Sequence, residues 1–497
     1  MNRFRTGLAS LLGGLVVAAT ASPAQALERL VLRMPFLQTN ITINFSGAQS
    51  VEELIRSSPD LAELESVSDG QLLGFLRTVF LTPLPLQTEK FLRGASGQPL
   101  LEQALAAATY FVDLQGVDID TSGKTLTDTL SRAARKGEPN ILGFLRELPG
   151  DEASLDLSRV SDAANRLKGN LEQGVALAKA GPSATVDPAL RKPLSGRWER
   201  EMLQLSVPHR PESLRLISLL PSAPNGRLVV ISHGLWDEPE SFEGWGEVLA
   251  EHGYTVLLPD HPGSNYRQQE LMLAGDRPPP GPEELRLRPL DVSAVIDAVE
   301  EAKLLAGRSL NTDSVGIVGH SWGATTTLQL VGAVPTDRKL NDRCGDLKAP
   351  ERNISWVLQC SWLSGIKMAG LADSRVTAVV AVSPPLRLLF EPSSADRLEA
   401  KLLLVSGSRD WVVPSGPEAI RPMSETGAAE KGHRLVLVDG ADHFSLRSFR
   451  GEAQPALMGP LMLGWLNEQL EVPASPRFSQ GGWGDQQIQM VDVSERL

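Results

Sequence analysis

A chain of 497 residues is too long for one ordinary core, so two folded units with short appendages are expected. Lys and Arg number 48 against 60 Asp and Glu, a net charge of -12. No basic run interrupts that balance, which excludes nucleic acid and anionic membrane surfaces as dominant partners.

The first residues carry Arg3 and Arg5, an apolar run over 7–21, and the small-residue triplet Ala24-Gln25-Ala26. This is the pattern of a secretory signal peptide, residues 1–26, cleaved after Ala26. A retained membrane anchor is the competing reading, but the run falls short of the roughly 18 to 20 apolar residues that span a bilayer. No later apolar run is long enough either, so the mature chain is expected to have no transmembrane segment and to be periplasmic or secreted. In such a compartment Cys344 and Cys360 are expected to pair as a disulfide, worth about 3 kcal/mol on the chain-entropy estimate.

Two alternating segments, 30–33 and 40–45, predict short strands. Ser50-Val51-Glu52-Glu53 then reads as a capping box. Apolar residues recur at helical spacing over 72–80, 100–111, 126–134, 141–148 and 157–180. Residues 27–185 are therefore expected to form a mainly helical domain, structural or partner-binding, with no cluster of catalytic residue types. Gly181-Pro182-Ser183 and the following Pro188 and Pro193 mark its end.

From 195 to 470 the texture changes. Short apolar runs at 202–207, 214–220, 228–232, 255–259, 315–318, 376–382, 402–406 and 435–438 alternate with helical patterns near 241–252, 289–305, 322–333, 415–427 and 454–469. Uninterrupted apolar strands joined by helices predict a mostly parallel, eight-stranded sheet covered on both faces. The first two strands, with no helix between them, predict an antiparallel hairpin at the edge. Ligands bind beyond the carboxyl ends of strands in such sheets, so chemistry is sought just after each one.

Gly319-His320-Ser321-Trp322-Gly323 lies between a predicted strand and a predicted helix. That context makes Ser321 a candidate nucleophile on a sharp turn, with the Trp322 N–H at the helix start available to an oxyanion. A serine hydroxyl needs a base, and His443 in Asp442-His443-Phe444 follows the last strand. The base needs a carboxylate to hold its tautomer, and Asp410 follows the preceding strand; Asp442 competes but is adjacent to the histidine in sequence. The loop Ser232-His233-Gly234-Leu235-Trp236 is expected to offer the Leu235 N–H as second oxyanion donor. His233 is read as loop-shaping, and His261 as structural or substrate-facing. No metal or organic cofactor is required.

These residues carry a resemblance. GHSWGA, SHGLW, GSRDWVVP and DGADHF occur in the order in which α/β-hydrolases carry them. ISHGLW, AEHGYTVLLPDHPGSN and RPLDVSAVIDAV resemble the branch that holds exported bacterial relatives of platelet-activating-factor acetylhydrolase and dienelactone hydrolase. The N-terminal part resembles the helical domain of unknown function found in such exported hydrolases. The acetylhydrolase acid follows the sixth strand, where this chain reads Ser383-Pro384-Pro385, so the acid is assigned to Asp410. Dienelactone enzymes usually carry a cysteine where this chain has Ser321.

The residues and the resemblance together imply a serine hydrolase of carboxylic esters, its substrate a small-molecule or lipid-like ester. A thioesterase or peptidase with the same triad, and a non-catalytic envelope adaptor, are the alternatives. Two insertions, 264–284 and 335–371, are expected over the strand ends. The second holds Cys344, Cys360, Trp356 and Trp362, either as a pocket wall or as an inert surface loop. The polar tail, 471–497, is expected to be loosely ordered.

Overall fold

The computed structural model describes residues 27–35, 38–68, 70–83, 88–115, 122–191, 197–452 and 456–497; the segment read as a leader, 1–26, lies outside them. Two sheets organise these residues. The smaller contains β1 (Arg29–Met34), β2 (Thr39–Asn44), β3 (Val112–Gln115) and β4 (Glu152–Asp156), in the order β2-β1-β4-β3. β1 pairs parallel with β4, and the other two pairings are antiparallel.

Sequence periodicity found β1 and β2 and the long helix Leu157–Ala180, but not β3 or β4. The two missed strands are short and poor in β-branched residues, so pairing rather than propensity makes them. The amino-terminal unit is thus helical with a four-stranded sheet. Its core gathers Ile43, Phe45, Val51, Leu54, Phe80, Leu142 and Leu148. The expected capping box forms with a shift of one residue. Ser50 Oγ accepts the Glu53 N–H, while the Glu53 carboxylate accepts from Gln49 N–H at 2.6 Å.

The larger sheet contains β5 (Trp198–Leu205), β6 (Leu214–Pro221), β7 (Arg227–Ser232), β8 (Thr255–Pro259), β9 (Asn311–His320), β10 (Val376–Val382), β11 (Lys401–Gly407), β12 (Arg434–Val438) and β13 (Met490–Asp492). Its order is β13-β12-β11-β10-β9-β7-β8-β6-β5. The six strands from β12 to β8 run parallel, flanked by antiparallel partners at both ends. Strand periodicity sends alternate residues to opposite faces. Leu228 and Val230 enter one core with the helices Glu284–Glu300 and Trp322–Leu330, and Val229 and Ile231 enter another with Glu243–Glu251 and Gly459–Gln469. The parallel strands are mostly apolar in their buried stretches, as at Val315–Val318 of β9, because both faces are covered there.

Among the described residues the sheet has nine strands rather than eight, and the tail supplies the ninth. β13 pairs with β12 and buries Met490 and Val491. Phe478 stacks on Trp483 with ring centroids 5.1 Å apart and meets Trp465 edge-on. A few apolar residues spaced through a polar segment are enough once an edge strand offers them a ladder.

Cys344 and Cys360 are bonded. No helix among the described residues is long and apolar enough to cross a membrane. The amino-terminal unit grips both insertions. Lys90 pairs with Asp276, and Arg166 donates to the Leu347 carbonyl at 2.8 Å. Gly174 on the long helix packs against Ser415 so closely that an added Cβ would overlap its hydroxyl.

Candidate active site

β9 ends at His320, and Ser321 turns the chain into the helix Trp322–Leu330 with φ 54° and ψ -120°. A positive φ at a non-glycine residue stores strain of order 1–3 kcal/mol and persists only where its surroundings impose it. Two glycines impose it. A Cβ on Gly319 would stand 2.3 Å from the Gly323 carbonyl oxygen, and one on Gly323 would stand 2.0 Å from that of Ser232. The helix start is thereby pressed onto the ends of β7 and β9. Ser321 N–H donates to the Val382 carbonyl at 2.9 Å, which fixes the turn to β10 as well.

Asp410 lies after β11 and is fully buried. Its Oδ1 accepts the Val412 and Val413 N–H groups at 3.0 and 2.7 Å, and its Oδ2 faces His443 Nδ1 at 2.9 Å. A carboxylate holding that nitrogen's proton leaves Nε2 with the lone pair a base requires. Asp442 does not compete. Its carboxylate caps its own turn, accepting from Phe444 and Ser445 N–H groups.

His443 sits beside the Ser321 turn. The His320 ring lies 4.7 Å from its ring, and His320 Nε2 donates to its carbonyl at 2.9 Å. Burial, with His443 alongside, pushes His320 down to about 3, so it stays neutral. Among the described residues no hydrogen bond joins the Ser321 hydroxyl to His443. Gly234, in the loop after β7, packs on Ser321: a Cβ there would be 3.1 Å from that of Ser321. Among the described residues neither the Leu235 N–H nor the Trp322 N–H has a protein acceptor.

A second Ser–His–Asp array lies behind this one. Ser232 Oγ and His261 Nε2 are 2.9 Å apart, and His261 Nδ1 and Asp291 Oδ2 are 2.7 Å apart. All three residues are 0% exposed, whereas Ser321 keeps 8%. Burial, then the Arg288 charge, pushes His261 down to about 3. The array has a triad's hydrogen bonds and no route for substrate. His233 likewise shapes its loop: its Nε2 accepts the His261 N–H at 3.0 Å and its Nδ1 faces the Gly234 carbonyl at 2.7 Å.

Residues 228–454 match the alpha/beta hydrolase family. The larger sheet has the α/β-hydrolase fold. A search of curated proteins returned no match. The match supports a hydrolase and covers the loop after β7, the Ser321 turn, Asp410 and His443.

Around the Ser321 turn, the tryptophans of the second insertion are neither an open wall nor an inert surface. Trp356 and Trp362 are both fully buried. Trp362 packs on Trp322 with centroids 5.1 Å apart, and Trp356 lies beneath Arg343 and Arg352. Two of the exposed aromatics, Trp411 at 42% and Phe444 at 45%, neighbour Asp410 and His443 in sequence and lie with ring centroids 6.2 Å apart. Sequence reasoning also missed Arg288, which is completely buried and donates to the carbonyls of His233 and Gly234. Its signal was present in the spacing of Glu284, Arg288 and Asp291, which places three charged residues on one helix face.

Proposed function

We propose that the protein is a serine hydrolase of carboxylic esters. Ser321 Oγ adds to the ester carbonyl while His443 Nε2 takes its proton, and the N–H groups of Leu235 and Trp322 hold the oxyanion. The tetrahedral species collapses, His443 returns the proton to the departing alcohol, and an acyl-serine remains. Water, deprotonated by His443, then releases the acid and regenerates Ser321. Asp410 holds the imidazole tautomer throughout.

The observation that carries this reading is Ser321 held in a left-handed turn at the carboxyl end of β9, where it remains reachable, with the buried Asp410–His443 pair beside it. The bond missing between Ser321 and His443 is the one that commonly tightens only when substrate binds. Exposed Trp411 and Phe444 favour an ester with an apolar acyl or alcohol part. The absence of a carboxylate at Ser383-Pro384-Pro385 supports Asp410 as the acid and sets the chain apart from the acetylhydrolase pattern. The Cys344–Cys360 bond supports export to an oxidising compartment.

A fluorophosphonate probe is expected to label the purified protein at Ser321. Ser321→Ala should abolish labelling and lower ester turnover on the order of 10⁶-fold. Labelling that survives the substitution rejects the assignment.

A further inference from the structure

Glu284, Arg288 and Asp291 stand at positions i, i+4 and i+7 of the helix Glu284–Glu300, so they share one face. That face is turned into the protein, and all three residues are buried. Arg210 bridges both acids with its one positive charge. It grips Asp291 through Nε and Nη2 at 2.9 and 2.6 Å and Glu284 through both terminal nitrogens. Arg288 makes no ion pair with either acid. Its Nε donates to Ser264 Oγ at 2.9 Å, its Nη1 to the His233 carbonyl at 2.7 Å and its Nη2 to the Gly234 carbonyl at 3.0 Å. Burial pushes this guanidinium down to about 9. A buried cation is costly, yet this one directs its fork at two consecutive main-chain carbonyls.

Peptide geometry gives that arrangement a consequence. Across a trans peptide the C=O and the next N–H point in opposite directions. The Gly234 carbonyl is held on one side by Arg288 and by His233 Nδ1. The proton on Nδ1 is assured, because His233 Nε2 accepts the His261 N–H, and a main-chain nitrogen can only donate. The Leu235 N–H is thus turned away from the guanidinium, in a loop whose Gly234 rests on Ser321. Trp236 N–H, bonded to the Ser264 carbonyl at 2.7 Å, fixes the other end of the loop.

The same guanidinium lies 4.8 Å from the Trp322 ring centroid. Pro289, the next residue, has no N–H to offer the Leu285 carbonyl, and Gln329 on the Ser321 helix takes it at 3.0 Å. One helix therefore holds both the loop that carries Leu235 and the helix that begins at Trp322.

We propose that Arg288 is the positioning residue of the oxyanion hole: by holding the His233 and Gly234 carbonyls and the Trp322 ring, it aims the Leu235 and Trp322 N–H groups at one point. The proposal rests on the serine-hydrolase reading above. Arg288 itself touches no substrate. Its effect is felt where negative charge develops, so its loss should weaken binding of the transition state more than of the substrate.

The test is Arg288→Lys in the full chain, which keeps a cation and removes the planar fork. Five quantities are measured: stoichiometric fluorophosphonate labelling, kcat and KM on a chromogenic ester, affinity for a boronic acid, and the carbonyl stretch of the acyl-enzyme. The expected variant is folded and still labelled at Ser321. Its kcat is 10- to 100-fold lower with KM within about threefold, boronate affinity falls in step with kcat/KM, and the carbonyl stretch moves to higher wavenumber as polarisation is lost. A folded variant with kcat within twofold and an unshifted carbonyl overturns the proposal, as does a fall in kcat with the carbonyl unmoved. Should the lysine variant not fold, Ser264→Ala removes the anchor of Arg288 Nε and should shift the carbonyl the same way with a three- to tenfold loss in kcat; no shift overturns it equally. Wild-type protein that the probe fails to label rejects the hydrolase reading itself, a result distinct from any of these.

Discussion

Gly323→Ala probes the tightest approach around Ser321. An added Cβ would stand 2.0 Å from the Ser232 carbonyl oxygen, 2.6 Å from its carbon and 2.7 Å from the His233 carbonyl oxygen. Carbon and oxygen rest comfortably at about 3.3 Å or more, so the helix start and the end of β7 must separate by roughly 1.3 Å. These are the elements that carry Trp322 and Leu235, and an oxyanion is held only by donors within about 2.7 to 3.1 Å. Losing one donor costs on the order of 10²- to 10³-fold in turnover, and overpacking costs about 1 to 3 kcal/mol in stability. The assay pairs kcat/KM on a chromogenic ester with thermal unfolding. Gly169→Ala is the control: its Cβ meets nothing within 4 Å, and it lies within the helix Leu157–Ala180. The control should match wild type in activity and gain up to about 1 kcal/mol. Gly323→Ala with kcat/KM within threefold of wild type and an unchanged melting curve would refute the idea that this contact sets the oxyanion geometry.

Asp410→Asn should keep the fold and lower kcat by about 10⁴-fold, because an amide no longer selects the Nδ1–H tautomer of His443; a loss below tenfold contradicts its role. Cys344→Ser with Cys360→Ser should cost about 3 kcal/mol, read as a lower urea midpoint, and a midpoint equal to that of the oxidised protein counts against the estimate. His433 titrates at about 4, pushed down from 6.5 by burial and by Lys401 and Lys431. Below pH 6.5 the unfolded chain takes up a proton that the folded one refuses, so stability falls as pH drops towards 4. His433→Asn, which keeps an acceptor for the Leu402 N–H, should reduce the stability lost between pH 7 and 5 by about 1 kcal/mol after allowance for solvent screening. Identical losses in variant and wild type reject this.

Much of this architecture was readable from residues alone, for physical reasons. The parallel strands are apolar runs bounded by turns, and the ends of β9, β11 and β12 placed Ser321, Asp410 and His443 in the zone where such sheets hold ligands. β3, β4 and β13 were not readable, because each is a short segment that becomes a strand only through its neighbours. The Ser232–His261–Asp291 array was hidden for another reason: its members are 29 and 30 residues apart and lie on a strand end, a loop and a helix, so no local spacing announces them. Arg288 shares a helix face with Glu284 and Asp291 by spacing alone, but that this face is buried depends on the neighbours packed against it, which the spacing does not show. The tail was misjudged because composition was weighed and position was not.

The amino-terminal unit is tied to the larger unit at three places: Lys90 on the first insertion, Arg166 on the second, and Gly174 against Ser415, five residues beyond Asp410. Substitutions far upstream of Ser321 can therefore shift these three segments without replacing Ser321, Asp410 or His443.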